Sequence, residues 1–293
     1  MKRSIIIFLI LTLVLSLCGC AGPKGHAQIA ATTLPVYEFT SRICEGTGLT
    51  VTRLVTESVS CLHDYSLNVR QVRSAEAAEL IVINGAHLEE FMEDLLVGKA
   101  VIDSSEGIEL LECSHEHEHE ENHEGHHHEA DSHIWLSPEN AKVMAENICT
   151  GLAAKYPENS ALFEANFAGL LSDLDALQAY GEEQLADLSC REMITFHDGF
   201  AYLAQCYDLH ILRAVEEESG SEASAAELIQ LIEEVRSHEL PAIFTEAMGN
   251  TSAAQIISAE TGAEIYTLDM AMHGESYFEA MYHNISTIKG ALG

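Results

Sequence analysis

Eight of the chain's 16 histidines fall within one stretch, CSHEHEHEENHEGHHHEADSHIWLSP, from Cys113 to Pro138. A neutral imidazole offers a lone pair to a metal ion, and imidazoles combined with a carboxylate make a good tetrahedral set for Zn2+. Seven of the eight, His115, His117, His119, His123, His126, His127 and His128, alternate with acidic residues and have no apolar neighbours. Such a tract has nothing to pack with and reads as a loop that takes up metal weakly, since its ligands must first be ordered. Three readings stay open for it: a metal-collecting loop, a sensor of excess metal, or a solvated linker. The eighth, His133, stands beside Trp135 and just before a new helix, and belongs to the ordered frame. H-E-x-x-H, the mark of zinc hydrolases, occurs three times in the tract, as HEHEH, HEENH (His119–His123) and HEGHH. The chemistry needs both histidines on one helix face, and no helical apolar period surrounds them, so a hydrolase is the weaker reading.

The elements that must position such ligands alternate along the chain. Short apolar or alternating runs read as strands: Ala27–Pro35, Val51–Thr56, Leu80–Asn84, Val101–Asp103, Glu192–Phe196, His210–Val215, Ala242–Thr245 and Glu264–Leu268. Segments of helical period lie between them, at Val36–Glu45, Asn68–Glu79, Leu88–Val97, Pro138–Tyr156, Ala223–His238, Thr251–Thr261 and Ser276–Leu292. Repeated strand–helix units imply an α/β fold with parallel sheets flanked by helices. A long pattern from Glu158 to Leu188 interrupts the alternation and would span ~45 Å as a helix. The expected architecture is therefore two lobes joined by one long rigid helix. Residues 27–156 form the N-terminal lobe, with the His-rich loop at 112–131. Residues 157–188 form the connecting helix, and 189–293 the C-terminal lobe. No short internal sequence repeat is visible.

In parallel sheets of this kind, ligands bind beyond the carboxyl ends of the strands. His63 follows the second strand through a short loop. His197 directly follows the strand of MITFHDGF, and Asp269 directly follows that of EIYTLD. With His133, these make three imidazoles and one carboxylate, two candidates from each lobe. Glu246, after the strand AIFT, and His273, four residues past Asp269, are further candidates to replace or supplement Asp269.

Composition and the N-terminus bear on compartment and partners. A net charge of −33 excludes a nucleic-acid partner, because phosphates must be met by Lys and Arg. Lys2 and Arg3 precede the apolar run Ile5–Leu17, which is too short for a membrane span of ~20 residues and fits a signal peptide. The run ends in LCGC, which resembles a bacterial lipobox. A signal peptide over 1–19, lipidation at Cys20, a tether over 20–26 and export to the outer face of the cell membrane are expected, with the mature chain a monomer. The six other cysteines, Cys44, Cys61, Cys113, Cys149, Cys190 and Cys206, contain no C-x-x-C pair. Disulfides and buried thiols both remain open.

Four motifs carry a family resemblance: LHDYSLN, DSHIWLSP, FHDGFAYL and ETGAEIYTLD. Together they resemble the zinc-binding lipoproteins of bacterial ABC transporters, the metal-specific cluster of solute-binding proteins, and the likeness runs over essentially the whole chain. It implies two lobes and a rigid connecting helix. It also implies one Zn2+ carried as the transported ligand at His63, His133, His197 and Asp269, a membrane lipid anchor, and an ABC permease as partner rather than catalysis. Related manganese binders place Glu where this chain has His197, so manganese is the alternative cargo; imidazole favours zinc. The chain departs from the family in lacking prolines after HDY and in reading LDMAMHG where the family often has LDPLG.

Overall fold

The computed structural model describes residues 28–57, 62, 65–112, 130–215, 223–247, 249 and 251–293. The predicted signal peptide and tether, Cys20, His63, Cys61, Cys113 and the seven tract histidines lie outside the described residues.

Leu80–Ile83 and Ala242–Glu246 are buried at every position, as strands covered by helices on both faces must be. They are the third strands of two sheets. In the N-terminal lobe, β1 (Ile29–Ala31), α1 (Leu34–Ile43), β2 (Val51–Arg53), α2 (Val69–Ala77), β3 (Leu80–Ile83), α3 (Glu93–Leu96) and β4 (Val101–Asp103) follow in order. After α4 (Pro138–Lys155) and α5 (Ser160–Gln184) come β5 (Glu192–Thr195), α6 (Ala201–Cys206), β6 (His210–Ala214), α7 (Ala225–Ser237), β7 (Ala242–Glu246), α8 (Ser252–Thr261), β8 (Glu264–Leu268) and α9 (Tyr277–Leu292). The first sheet has strand order β2-β1-β3-β4 and the second β6-β5-β7-β8, with all pairings parallel. The two lobes thus repeat one topology. Each sheet reverses its winding between its first and third strands, and a crevice opens there.

Local chemistry sets the ends of these elements. The predicted first strand, Ala27–Pro35, pairs only over Ile29–Ala31, because Pro35 has the preset geometry of a helix first turn and starts α1. Ser137 caps α4 with Pro138 at its first position. The predicted helix Leu88–Val97 is instead a 3₁₀ turn at Glu90–Met92 followed by α3. Ala86 and His87 enter it with positive φ, and the turn aims Glu89 inward.

The connecting helix is shorter than its sequence period. Pro157–Asn159 forms a 3₁₀ turn, and α5 runs 25 residues, about 37 Å. It does not stand free between the lobes. Phe163, Leu170, Leu174 and Leu177 are buried in one core that extends from Ile29 and Phe39 to Leu268 and Ile288. Gly181 meets the Tyr207 ring so closely that a Cβ there would lie 2.3 Å from Tyr207 Cζ. Smaller clusters sit under the outer helices of each lobe. Among the described residues, Cys44, Cys149, Cys190 and Cys206 are thiols, and burial pushes Cys44 up to about 12. No helix among the described residues is long and apolar enough to cross a membrane.

Candidate metal centre

The crevice of the C-terminal sheet lies between β5 and β7. His197 stands two residues beyond the end of β5, and Glu246 is the last residue of β7; each is only 4% exposed. His197 Nδ1 faces Glu246 Oε2 at 3.6 Å. The carboxylate thus backs the ring, and Nε2 points away from it.

His133 reaches the same place from the other lobe. Its ring Nδ1 lies 2.7 Å from Asp131 Oδ1, and its backbone N–H donates to the same oxygen at 2.9 Å. A carboxylate two residues back in the chain therefore holds both ring and backbone. Asp131 is fastened in turn: its N–H donates to the Leu111 carbonyl at 2.8 Å, and its own carbonyl accepts the Tyr202 hydroxyl at 2.8 Å. Asn84, just past β3, donates its side-chain amide to the Ser132 carbonyl at 3.1 Å. Behind Asn84 lies the carboxylate of Glu89, which accepts the Thr32 hydroxyl and the backbone N–H groups of Asn84 and Gly85. Burial pushes the Glu89 carboxyl up to about 7 despite these three donors. Contacts from several separate segments thus locate one imidazole.

The two rings meet edge to face, with centroids 5.3 Å apart and planes at 89°. Their Nε2 atoms are 3.5 Å apart. A carboxylate at Nδ1 favours the proton on that nitrogen and the lone pair on Nε2. Two lone pairs so disposed cannot bond to each other, but they can share a cation. Bonds of 2.0–2.1 Å in tetrahedral geometry place two nitrogens about 3.3–3.4 Å apart, close to the observed spacing. Gly199 provides the room: a Cβ there would be 2.9 Å from His197 Cδ2, 3.1 Å from His133 Cδ2 and 2.6 Å from Met270 Cε.

Met270 leads to the fourth candidate. The Trp135 indole donates to the Met270 carbonyl at 2.7 Å, across the lobes, and the Tyr277 hydroxyl donates to the Trp135 carbonyl at 2.8 Å. Asp269 directly follows β8, with its backbone clamped by Asn284 at both N–H and C=O. Its Oδ1 accepts the Ala271 N–H at 2.7 Å, and its Oδ2 lies 3.6 Å from His273 Nε2. The structure therefore brings His133 and His197 together, sets Glu246 behind His197, and pairs Asp269 with His273. Among the described residues, no three His, Cys, Asp or Glu side chains form a set that could hold an ion as they stand.

Asp131, Gly199 and Asn84 escaped the reading by strand ends. The D-x-H spacing of DSH was the available signal for Asp131. Nothing local marks Asn84, whose partner lies 48 residues away. Trp135 and Tyr202 are core residues, and both also fasten the site.

Two like α/β lobes with inward-facing imidazoles between them define a cleft-type binding protein. The family model for the periplasmic zinc-uptake complex component A, ZnuA, matches residues 29–291, and the chain belongs to that family. It is 30% identical over 293 residues to zinc-binding lipoprotein AdcA of Streptococcus pneumoniae, an alignment covering 94% of this chain but 58% of that protein. The chain therefore spans little more than half the length of that relative. It is 29% identical to the high-affinity zinc uptake system protein ZnuA of Bacillus subtilis, covering 96% of this chain and 94% of that one. A crystal structure of ZnuA matches with a TM-score of 0.78 at 30% identity, over 91% of this chain and all of that one.

Proposed function

We propose that this chain is an extracytoplasmic zinc-binding protein that captures Zn2+ between its lobes and delivers it to an ABC permease for uptake. The observation that carries the reading is the ring pair: two buried Nε2 atoms 3.5 Å apart, with a carboxylate at each Nδ1. Family membership and the names of the relatives agree with it. The ligand set is His63, His133, His197 and Asp269, with zinc as cargo rather than as the centre of a catalytic site. Asp131 and Glu246 orient the rings.

The packed face of α5 and the core shared by both lobes oppose large domain closure, so capture works through local shifts around the cleft. The tract histidines His115, His117, His119, His123, His126, His127 and His128 act as a collecting loop. Its support is positional: Ala130, which pairs with Glu112, is followed directly by Asp131 of the site. The chain is tethered by lipid at Cys20 to the outer face of the membrane and works as a monomer. Protons compete with zinc for imidazole, so affinity falls as pH drops through about 6.5.

The test replaces residues 113–129 with a two-residue turn, which suits the antiparallel Glu112–Ala130 pair, and measures zinc stoichiometry. One tight zinc per chain is expected, lost on adding His197→Ala. A tract-deleted chain with no tight zinc would refute the reading. Competition against Mn2+ on the same chain checks the cargo, with zinc expected to win.

A further inference from the structure

Resting on the reading above, the geometry points to His273 as a further zinc donor of the cleft, acting together with Asp269. The turn LDMAMHG is built to bring this ring back onto that carboxylate. Asp269 Oδ1 is committed to the Ala271 N–H, which leaves Oδ2 as the outward-facing oxygen. Ala271 is left-handed, with φ 55°, a conformation that strains a non-glycine residue. Its strain is maintained by the turn's fastenings: Trp135 on the Met270 carbonyl, and Arg53 of the N-terminal lobe, whose Nη1 donates to the Gly274 carbonyl at 3.0 Å. The N-terminal lobe thus holds the turn at two points, and Asn284 of the C-terminal lobe clamps Asp269 at its start.

Within it, His273 Nε2 stands 3.6 Å from Asp269 Oδ2. That is beyond a good hydrogen bond. It is close to the edge of a zinc tetrahedron, about 3.3–3.5 Å for bonds of 2.0–2.2 Å, and it nearly equals the spacing of the His133–His197 pair. The other ring nitrogen, Nδ1, has no hydrogen-bond partner among the described residues, so no bond there opposes the ring's turning to meet an ion. The two pairs differ in depth. The side chains of His273 and Asp269 are 19% and 23% exposed, against 5% for each of the inner rings. The outer pair therefore faces the arriving ion. A local shift of the 269–274 turn, whose Met270 methyl already sits against Gly199 beside both inner rings, brings outer and inner donors onto one ion.

The experiment compares the intact chain with its His273→Gln and His197→Ala variants. Tight-site zinc affinity is measured by chelator competition, and histidine ring nitrogens are followed by 15N NMR with one equivalent of Zn2+. Expected are a loss of about tenfold or more in affinity for His273→Gln and a metal-bound shift of the His273 ring nitrogen in the parent. If His273→Gln keeps the parent affinity, and the His273 ring still titrates with pH in the zinc-loaded parent, the inference is overturned while a strong loss in His197→Ala leaves the cleft reading standing. If His197→Ala also keeps its tight zinc, the cleft reading fails and this inference with it.

Discussion

A single methyl group added at Gly199 tests whether ring spacing governs capture. In Gly199→Ala the new Cβ would lie 2.6 Å from Met270 Cε, 2.9 Å from His197 Cδ2 and 3.1 Å from His133 Cδ2. Carbon contacts are comfortable at about 3.5–4.0 Å. The Met270 methyl ends a flexible side chain and can swing aside. The rings cannot swing aside in that way and give only by small shifts apart, because His133 is held by Asp131 at two points and His197 stands against Glu246. Each ring must retreat by about 0.5 Å to restore contact distance. Without metal, the rings relieve the crowding by spreading. With zinc, the tetrahedral edge of about 3.3–3.4 Å forbids spreading, so the strain appears on binding. Overpacking of this size costs about 1–3 kcal/mol, which corresponds to roughly 5- to 150-fold in affinity. The assay is chelator competition for the tight zinc, paired with a thermal melt in chelator. Affinity should fall by that factor while the metal-free melt moves little. An unchanged affinity in a folded variant would refute the claim that ring spacing controls capture.

Asp131→Asn removes the carboxylate from His133 Nδ1 and should weaken zinc binding by about 10- to 100-fold; full retention would show that the pair does not orient the ring. Glu89→Gln tests the buried carboxylate behind Asn84. Burial, with a smaller push from Asp103, raises Glu89 from 4.5 to about 7, so the folded chain holds its proton more tightly than the unfolded chain. Between those values the native state binds more protons, and stability falls as pH rises through the window, by about 3 kcal/mol in all. Chemical denaturation in chelator at pH 5 and pH 8 should show the parent gaining on the variant toward pH 5, and parallel behaviour of the two proteins would contradict it. Gly181→Ala would place a Cβ 2.3–2.4 Å from the Tyr207 ring and should cost about 1–3 kcal/mol of stability with zinc affinity unaltered; a neutral melt would mean that α5 is not tightly docked there.

Much of the fold was legible in the residue order. Strands Val101–Asp103 and Glu264–Leu268 lie where their residue patterns placed them, although both are partly exposed edge strands. Ser137 and Pro138 announced α4 through capping chemistry that acts within one turn. The reading faltered where a distant contact overrode local period. The helix expected at Leu88–Val97 breaks up around the inward-turned Glu89, whose partner Thr32 lies 57 residues away. The long helix reads in sequence as a rigid connector between lobes, yet one face of it is buried because α1, α4 and α9 pack on it.

The sequence by itself determined the alternation of strands and helices, and placed His197 and Asp269 just beyond strand ends, since hydrogen-bonded elements and their boundaries depend on neighbours in the chain. Only the tertiary structure decided that the two lobes repeat one strand order, that His133 and His197 turn their Nε2 atoms toward each other, and that Asp269 faces His273. Those facts depend on side chains from separate elements meeting within a few ångströms. A ring's direction is set by whichever carboxylate, amide or carbonyl packing brings to its other side, and residue order carries no local trace of that choice.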